Sequence, residues 1–412
     1  MIFYKETNFK EIPSIGEIPK DWGIAKLGDT SETVKGRKPT KLLDEKSENS
    51  LPYLTAEYMR TNSNIKWCKK DDPNVIWVRK DDLLIIWDGS YSGDVFIGFE
   101  GALASTMVKI IAAENLDRKF LYYFLFTMSN FLRKTTSGTG VPHVSKSVFE
   151  NLHIPIPPVE EQRGVVGVLG VVDSAVELVD RVIAKTERLK KGLMQTLLTR
   201  GIGHKEYKDT EIGKIPKEWQ VTRLKDIAEI RGNKRINSFE KIAFIPMELV
   251  PDSGVFAEYE VREKENVKSY TYCEAGDLLL AKITPSLENG KQGIVPSNIP
   301  NRLALATTEV FPIRSKGINV FFLFYILKFS KFRNKIISSM TGTTGRQRAS
   351  KEGVEKLVIP LPSQDEQQKI AEIFLAVDKK LELEKREKTK LDRIKQGLMD
   401  LLLTGKVRVK VD

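Results

Sequence analysis

The chain has 412 residues, 41% of them apolar, and a formal charge of +11; that is room for two or three domains, each with its own core. This apolar content excludes wholesale disorder, no run of 18 uncharged apolar residues offers a membrane span, and the opening MIFYKETNFKE lacks the basic-then-apolar order of a signal peptide. The two cysteines, Cys68 and Cys273, fit a reducing, cytoplasmic setting better than a disulfide or zinc framework.

In chain order, the phrase Ile15-Gly16-Glu17-Ile18-Pro19-Lys20-Asp21-Trp22 comes first and returns as Ile212-Gly213-Lys214-Ile215-Pro216-Lys217-Glu218-Trp219. After each Trp an apolar-polar alternation, Ile24 to Leu27 and Val221 to Leu224, predicts a short strand. Asp82-Leu83-Leu84 parallels Asp277-Leu278-Leu279, and Ala102 to Thr106 parallels Ala304 to Thr308; their apolar runs beside turn formers predict buried strands. Aromatic clusters at 120–126 and 321–329 predict a buried helix in each half, and a Gly/Thr/Ser loop follows at 135–140 and 341–345.

The longest copied stretch closes each half. Residues 154–200 align without a gap to 359–405, sharing 19 of 47 positions. Each copy opens on a proline-punctuated extended lead-in. A helix then starts with Glu160 and Glu161, or Asp365 and Glu366, at its positive end. Apolar residues at three- and four-residue spacing, from Val165 to Leu197 and from Ile370 to Leu402, draw one stripe along each helix. About 40 helical residues span roughly 60 Å, so each helix needs a long partner, and its own copy is the obvious one. The expected fold is α/β: two similar globular units joined by two long antiparallel helices, with a pseudo-twofold internal repeat. The expected boundaries are 1–153, 154–203, 204–358 and 359–412.

Charge is concentrated. Residues 118–149 hold no acid but contain Arg118, Lys119, Arg133, Lys134 and Lys146; residues 310–351 hold none but contain Arg333, Lys335, Arg346, Arg348 and Lys351. Both runs include the Gly/Thr/Ser loop, whose glycines permit close backbone approach and whose Thr and Ser donate to phosphate. One such run would read as a solvated basic face; recurrence at one place in both copies favours nucleic acid. The polar turn Glu288-Asn289-Gly290-Lys291 is a further candidate to approach bases. Catalytic patterns are missing: His143, His153 and His204 read as scattered loop residues, and neither a phosphate-binding G-x-x-x-x-G-K-[ST] loop nor an Asn/Asp-Pro-Pro-aromatic element occurs. The chain reads as non-catalytic. A bilobal coiled-coil scaffold that binds only proteins is the rival reading.

These motifs carry a resemblance. The IPxPxxEQ lead-ins with Glu161-Gln162 and Glu366-Gln367, the GLMxxLLT helix ends, the IGxIPxxW openings, Lys282-Ile283-Thr284-Pro285 and the loop Gly342-Thr343-Thr344-Gly345-Arg346-Gln347-Arg348 resemble type I restriction-modification specificity subunits over essentially the whole chain. The resemblance implies two target recognition domains that each read half of a split DNA sequence, and spacer helices that set the gap. It also implies two modification subunits carrying S-adenosylmethionine, and restriction subunits using ATP and magnesium; no cofactor or metal is expected on this chain itself. The expected DNA-binding residues are Arg118, Lys119, Arg133, Lys134, Thr139, His143, Lys146, Lys282, Asn289, Lys291, Arg333, Lys335, Thr343, Arg346, Gln347, Arg348 and Lys351. Gly138 to His143 stand where the second half has Gly345-Arg346-Gln347-Arg348, so an asymmetric site is expected. Glu161, Gln162, Glu366 and Gln367 are expected to meet partner subunits. Leu193, Met194 and Leu197, with Leu398, Met399 and Leu402, cover more than one stripe; they are expected to pack on the opposite recognition domain, the favoured option, or on a methyltransferase subunit.

Overall fold

The computed structural model describes residues 2–12, 15–136, 140–236, 239–343 and 345–410. The chain forms two compact units: residues 1–178 with 389–412, and residues 179–388. Each long helix therefore contributes one part to each unit.

The unit of residues 179–388 holds two four-stranded sheets. One runs Ala228–Ile230, Val310–Ser315, Leu278–Ala281, Gln292–Ile294; the other runs Glu260–Glu263, Lys241–Ile245, Leu303–Ala306, Thr271–Glu274. Leu278 to Ala281 are buried at every position, as expected of a strand covered on both faces. The aromatic cluster forms the helix Val320–Lys328, capped by the Asn319 side chain, which accepts from the amides of Phe321 and Phe322. A second helix, Ser330–Ile337, follows it.

The other unit repeats this plan. Its sheets run Val95–Phe96, Leu83–Ile86, Met107–Ala112, Ser31–Lys35 and Lys66–Lys69, Ser50–Leu54, Gly101–Leu103, Trp77–Val78. Its aromatic helix is a single Arg118–Lys134, capped by Asp117. The expected strands after the tryptophans are Gly23–Lys26 and Gln220–Arg223, and each pairs antiparallel with a proline-rich lead-in, His153–Ile156 and Val358–Leu361. His153 thus sits in a strand and not in a loop.

The long helices are Val159–Arg200 and Gln364–Leu402. In the unit of residues 179–388 they meet through Asp180 with Lys388 at 2.6 Å, Glu187 with Lys385 at 3.2 Å, and Lys190 with Asp378. Numbers rise along one helix as they fall along the other, so these segments are antiparallel. The last stretch departs from an all-helical 359–412. Gly405, at φ +69°, follows the second helix, and Val407–Lys410 pairs antiparallel with Ile2–Lys5.

Cys68 and Cys273 are free and buried, one in each unit. No helix among the described residues is long and apolar enough to cross a membrane.

Candidate nucleic-acid interface

The base of each long helix carries one polar anchor. Trp22 donates its indole N–H to Glu161 Oε2 at 3.1 Å, and Trp219 donates to Glu366 Oε2 at 2.8 Å. The repeated phrase ending in Trp and the Glu-Gln pair, some 140 residues apart in sequence, are therefore two parts of one joint. The adjacent glutamines finish it. Gln162 donates to the carbonyls of Asn115 and Pro157 and accepts from the Asp117 amide; Gln367 donates to Pro362 and accepts from the Asn319 amide. Glu161, Gln162 and Gln367 are buried, and Glu366 is held by Trp219, His204 and the Ile202 amide. This corrects the expectation that these four meet a partner: a buried polar group must be satisfied from within, and theirs are.

Above each anchor lies a second repeated constellation. Tyr123 donates to Asp173 at 2.7 Å, and Lys395 pairs with the same carboxylate at 2.6 Å. In the other unit Tyr325 donates to Asp378 at 2.8 Å and Lys190 pairs with it. Burial and the neighbouring carboxylate push both phenols well above their usual range, so they stay protonated donors. Sequence reading passed over these residues, although Asp173/Asp378 and Lys190/Lys395 are identities in the gapless alignment.

The helix ends pack inward. Leu197 is buried, with Leu193 and Met194 against it, in a core with Trp219, Ile370 and Phe374; Met399 and Leu402, with Leu398, join Val165, Leu169 and Phe120. The intramolecular option holds at both ends: Leu197, Met399 and Leu402 are buried within the chain, and Leu193, Met194 and Leu398 are partly covered by the same cores.

The residues just after the Gly/Thr/Ser loops, 142–144 and 347–349, dock on the matching strand ends of the two units. In residues 179–388 the Ala349 amide donates to Lys282 O at 2.8 Å, the Thr284 amide to Gln347 O at 3.0 Å, and Arg348 bridges Ile283. In the other unit the Val144 amide donates to Trp87 O at 2.9 Å, the Gly89 amide to Pro142 O at 2.8 Å, and His143 bridges Asp88. The backbone frame is the same and the side chains differ. Thr139, with Gly138 and Thr344, lies outside the described residues.

The basic candidates divide into two sets. Acids from other segments oppose several: Arg118 pairs with Asp81 at 2.7 Å and Arg133 with Asp94, while Lys146 and Lys351 pair with Glu150 and Glu355 at 3.6 Å. Lys291 donates to Met247 O at 2.8 Å and Val250 O at 3.2 Å, and Arg333 donates to Lys328 O, so both support backbone. Arg118, Arg133, Lys146, Lys351 and Arg333 are therefore not the unengaged charges that the acid-free runs suggested, and Lys291 of the polar turn is likewise engaged. Lys119, Lys134, Lys335, Arg346 and Arg348 are exposed and enter no ion pair among the described residues, and Asn289 and Thr343 are exposed beside the loop. Lys282 is half-buried with its ammonium 5.0 Å from the Phe311 ring; burial, and then the Arg348 charge, lower its pKa.

Comparison with known proteins then decides the family. The family model for the type I restriction modification DNA specificity domain matches residues 19–188 and 216–393. The chain belongs to that family. A role in DNA specificity comes with that membership. Over 420 residues the chain is 34% identical to the type I restriction enzyme MjaVIII specificity subunit of Methanocaldococcus jannaschii, covering 100% of this chain and 98% of that one. A putative MjaX specificity subunit of the same organism is 27% identical over 442 residues, covering 99% and 98%. The fold is similar to that of the crystal structure of the type I S subunit from M. genitalium, with a TM-score of 0.58 at 17% identity over 95% of this chain and 97% of that chain.

Proposed function

We propose that this specificity subunit is the non-catalytic DNA reader of a type I restriction-modification complex, each repeat reading one half of a bipartite, asymmetric site. The recognition domains are residues 1–153 and 204–358, and the segments 154–203 and 359–412, which hold the long helices Val159–Arg200 and Gln364–Leu402, set the spacer and dock two modification subunits. S-adenosylmethionine is bound by those subunits, and ATP with magnesium by the restriction subunits. The observation that carries this reading is the family match to both halves, combined with docked loops that share a frame and differ in side chains. Two readers of one design with unlike contact residues recognise unlike half-sites. The complex acts in the cytoplasm, where its duplex DNA is.

Single-molecule methylation mapping of the host genome, with and without this gene, tests the proposal. Deletion should erase N6-methyladenine from one split, asymmetric motif. An unchanged methylation pattern in a host that expresses the gene would refute the reading.

A further inference from the structure

Taking the DNA-reading role as its premise, we infer that the two loops discriminate by different chemistry: Arg346 and Arg348 read guanine, whereas Val141, at the position of Arg346, meets a thymine methyl. The correspondence follows from the hydrogen bonds. Ala349 to Lys282 and Thr284 to Gln347 in one unit match Val144 to Trp87 and Gly89 to Pro142 in the other. That register places His143 where Arg348 stands, Pro142 where Gln347 stands, Val141 where Arg346 stands, and Trp87 where Lys282 stands.

Arg348 has little backbone freedom. Its amide donates to Thr341 O at 2.8 Å, its carbonyl accepts from the Thr341 amide at 3.0 Å, and it bridges Ile283 on the other side. Arg346 lies two residues away, where its amide closes a turn onto the Thr343 carbonyl at 2.9 Å, so both arginines belong to the same short hairpin. Both are exposed, and neither has a carboxylate partner among the described residues. Lys282 adds a third cation close enough to Arg348 for the two charges to repel. The Glu309 carboxylate offsets part of the Lys282 charge, whereas no acid among the described residues pairs with Arg346 or Arg348; guanidiniums without an acid suit a ligand that presents only acceptors. A guanidinium has only donors. Guanine offers N7 and O6 as an acceptor pair in the major groove, whereas adenine and cytosine present an amino donor and thymine a single acceptor. Lys282, a point charge deeper in the same frame, suits a backbone phosphate.

Among the described residues of the other loop no guanidinium stands at these positions; Val141 and His143 take the places of Arg346 and Arg348. Val141 is 63% exposed, and an isolated apolar side chain at a reading position is matched by the thymine methyl.

The test uses the assembled complex. Duplexes carrying 7-deazaguanine, which lacks the N7 acceptor, in one half-site or the other are titrated against the wild-type complex. Binding should weaken for one half only, by roughly 5- to 150-fold per contacted guanine. In methylation maps, Arg348→Ala and Arg346→Ala should relax that same half and leave the other unchanged, while Val141→Ala should relax a thymine in the opposite half. Should Arg348→Ala abolish assembly, Arg348→Lys preserves the charge, and it should methylate with lost guanine discrimination. The inference is overturned by equal binding of both deaza duplexes, by an unchanged motif in Arg348→Lys, or by a motif without guanine. Failure of the DNA-reading role itself would look different, as no split motif would depend on the gene.

Discussion

Trp22 and Glu161 are completed by Arg408, whereas Trp219 and Glu366 are completed by His204. Arg408 binds Glu161 at 2.7 and 2.9 Å, Asp21 through two bonds of 2.8 Å, and Glu6 at 2.9 Å. His204 approaches Glu366 at 2.9 Å and Glu218 at 3.5 Å, and lies edge-on to Trp219. Asp21 and Glu218 precede the two tryptophans, so carboxylate, indole and glutamate recur and only the cation changes. A guanidinium keeps its charge at any ordinary pH, while an imidazole can stay bonded in either protonation state. One joint is therefore built around a permanent charge and the other is not.

Several substitutions test how far the two halves are alike. Met399 is 2% exposed while Met194 is only partly buried. Met399→Glu should therefore cost about 4 kcal/mol or more through an unpaired buried carboxylate, and Met194→Glu clearly less, in chemical denaturation. Equal costs would deny the asymmetry between the helix ends.

Glu161→Ala strands a charge that Asp21 and Glu6 only partly offset. A loss of about 3 kcal/mol is expected, near the lower end for a broken buried pair. For Glu366→Ala about 1–2 kcal/mol is expected, because the change removes hydrogen bonds to Trp219, His204 and the Ile202 amide and strands no guanidinium. Denaturation curves showing the reverse order would overturn the distinction between the anchors.

Lys328 and Phe126 occupy matching places on the aromatic helices, three residues beyond Tyr325 and Tyr123. Lys328 donates to Gly290 O at 2.8 Å, and burial, with Arg333 and Lys190 nearby, pulls its pKa down from 10.5 to about 8. Between those values the unfolded chain binds the extra proton, so stability should rise with pH, by about 2–3 kcal/mol in all. Lys328→Met should flatten that rise, which denaturation midpoints from pH 7 to 10.5 would show.

The smallest expected effect is local. Gly342 sits at φ +129°, and an added Cβ would lie 2.8 Å from the Arg346 carbonyl. Gly342→Ala should cost about 1–2 kcal/mol, with recognition of one half-site impaired and the other intact in methylation maps.

Much of the architecture was legible because the chain states it twice. Repeated phrases located the strands, the aromatic helices and the long helices, since periodicity and turn chemistry are local. What stayed hidden depends on distant partners. Arg133 looked unopposed because Asp94 is 39 residues away. Glu161 looked like a helix-start carboxylate, which it is, yet Trp22 and Arg408 make it a buried joint. The loops were found, but their common frame rests on backbone bonds to Lys282 and Trp87 that side-chain chemistry does not encode.

The pairing of Ile2–Lys5 with Val407–Lys410 also dictates a timetable. At about 5–20 residues per second, translation separates these strands by roughly 20–80 s. Residues 179–388, a continuous stretch, can be complete before the last strand has left the ribosome. Of the two units, the one that starts earlier in the chain is therefore completed later, and until then Ile2, Phe3 and Tyr4 wait on the nascent chain without the strand that pairs with them.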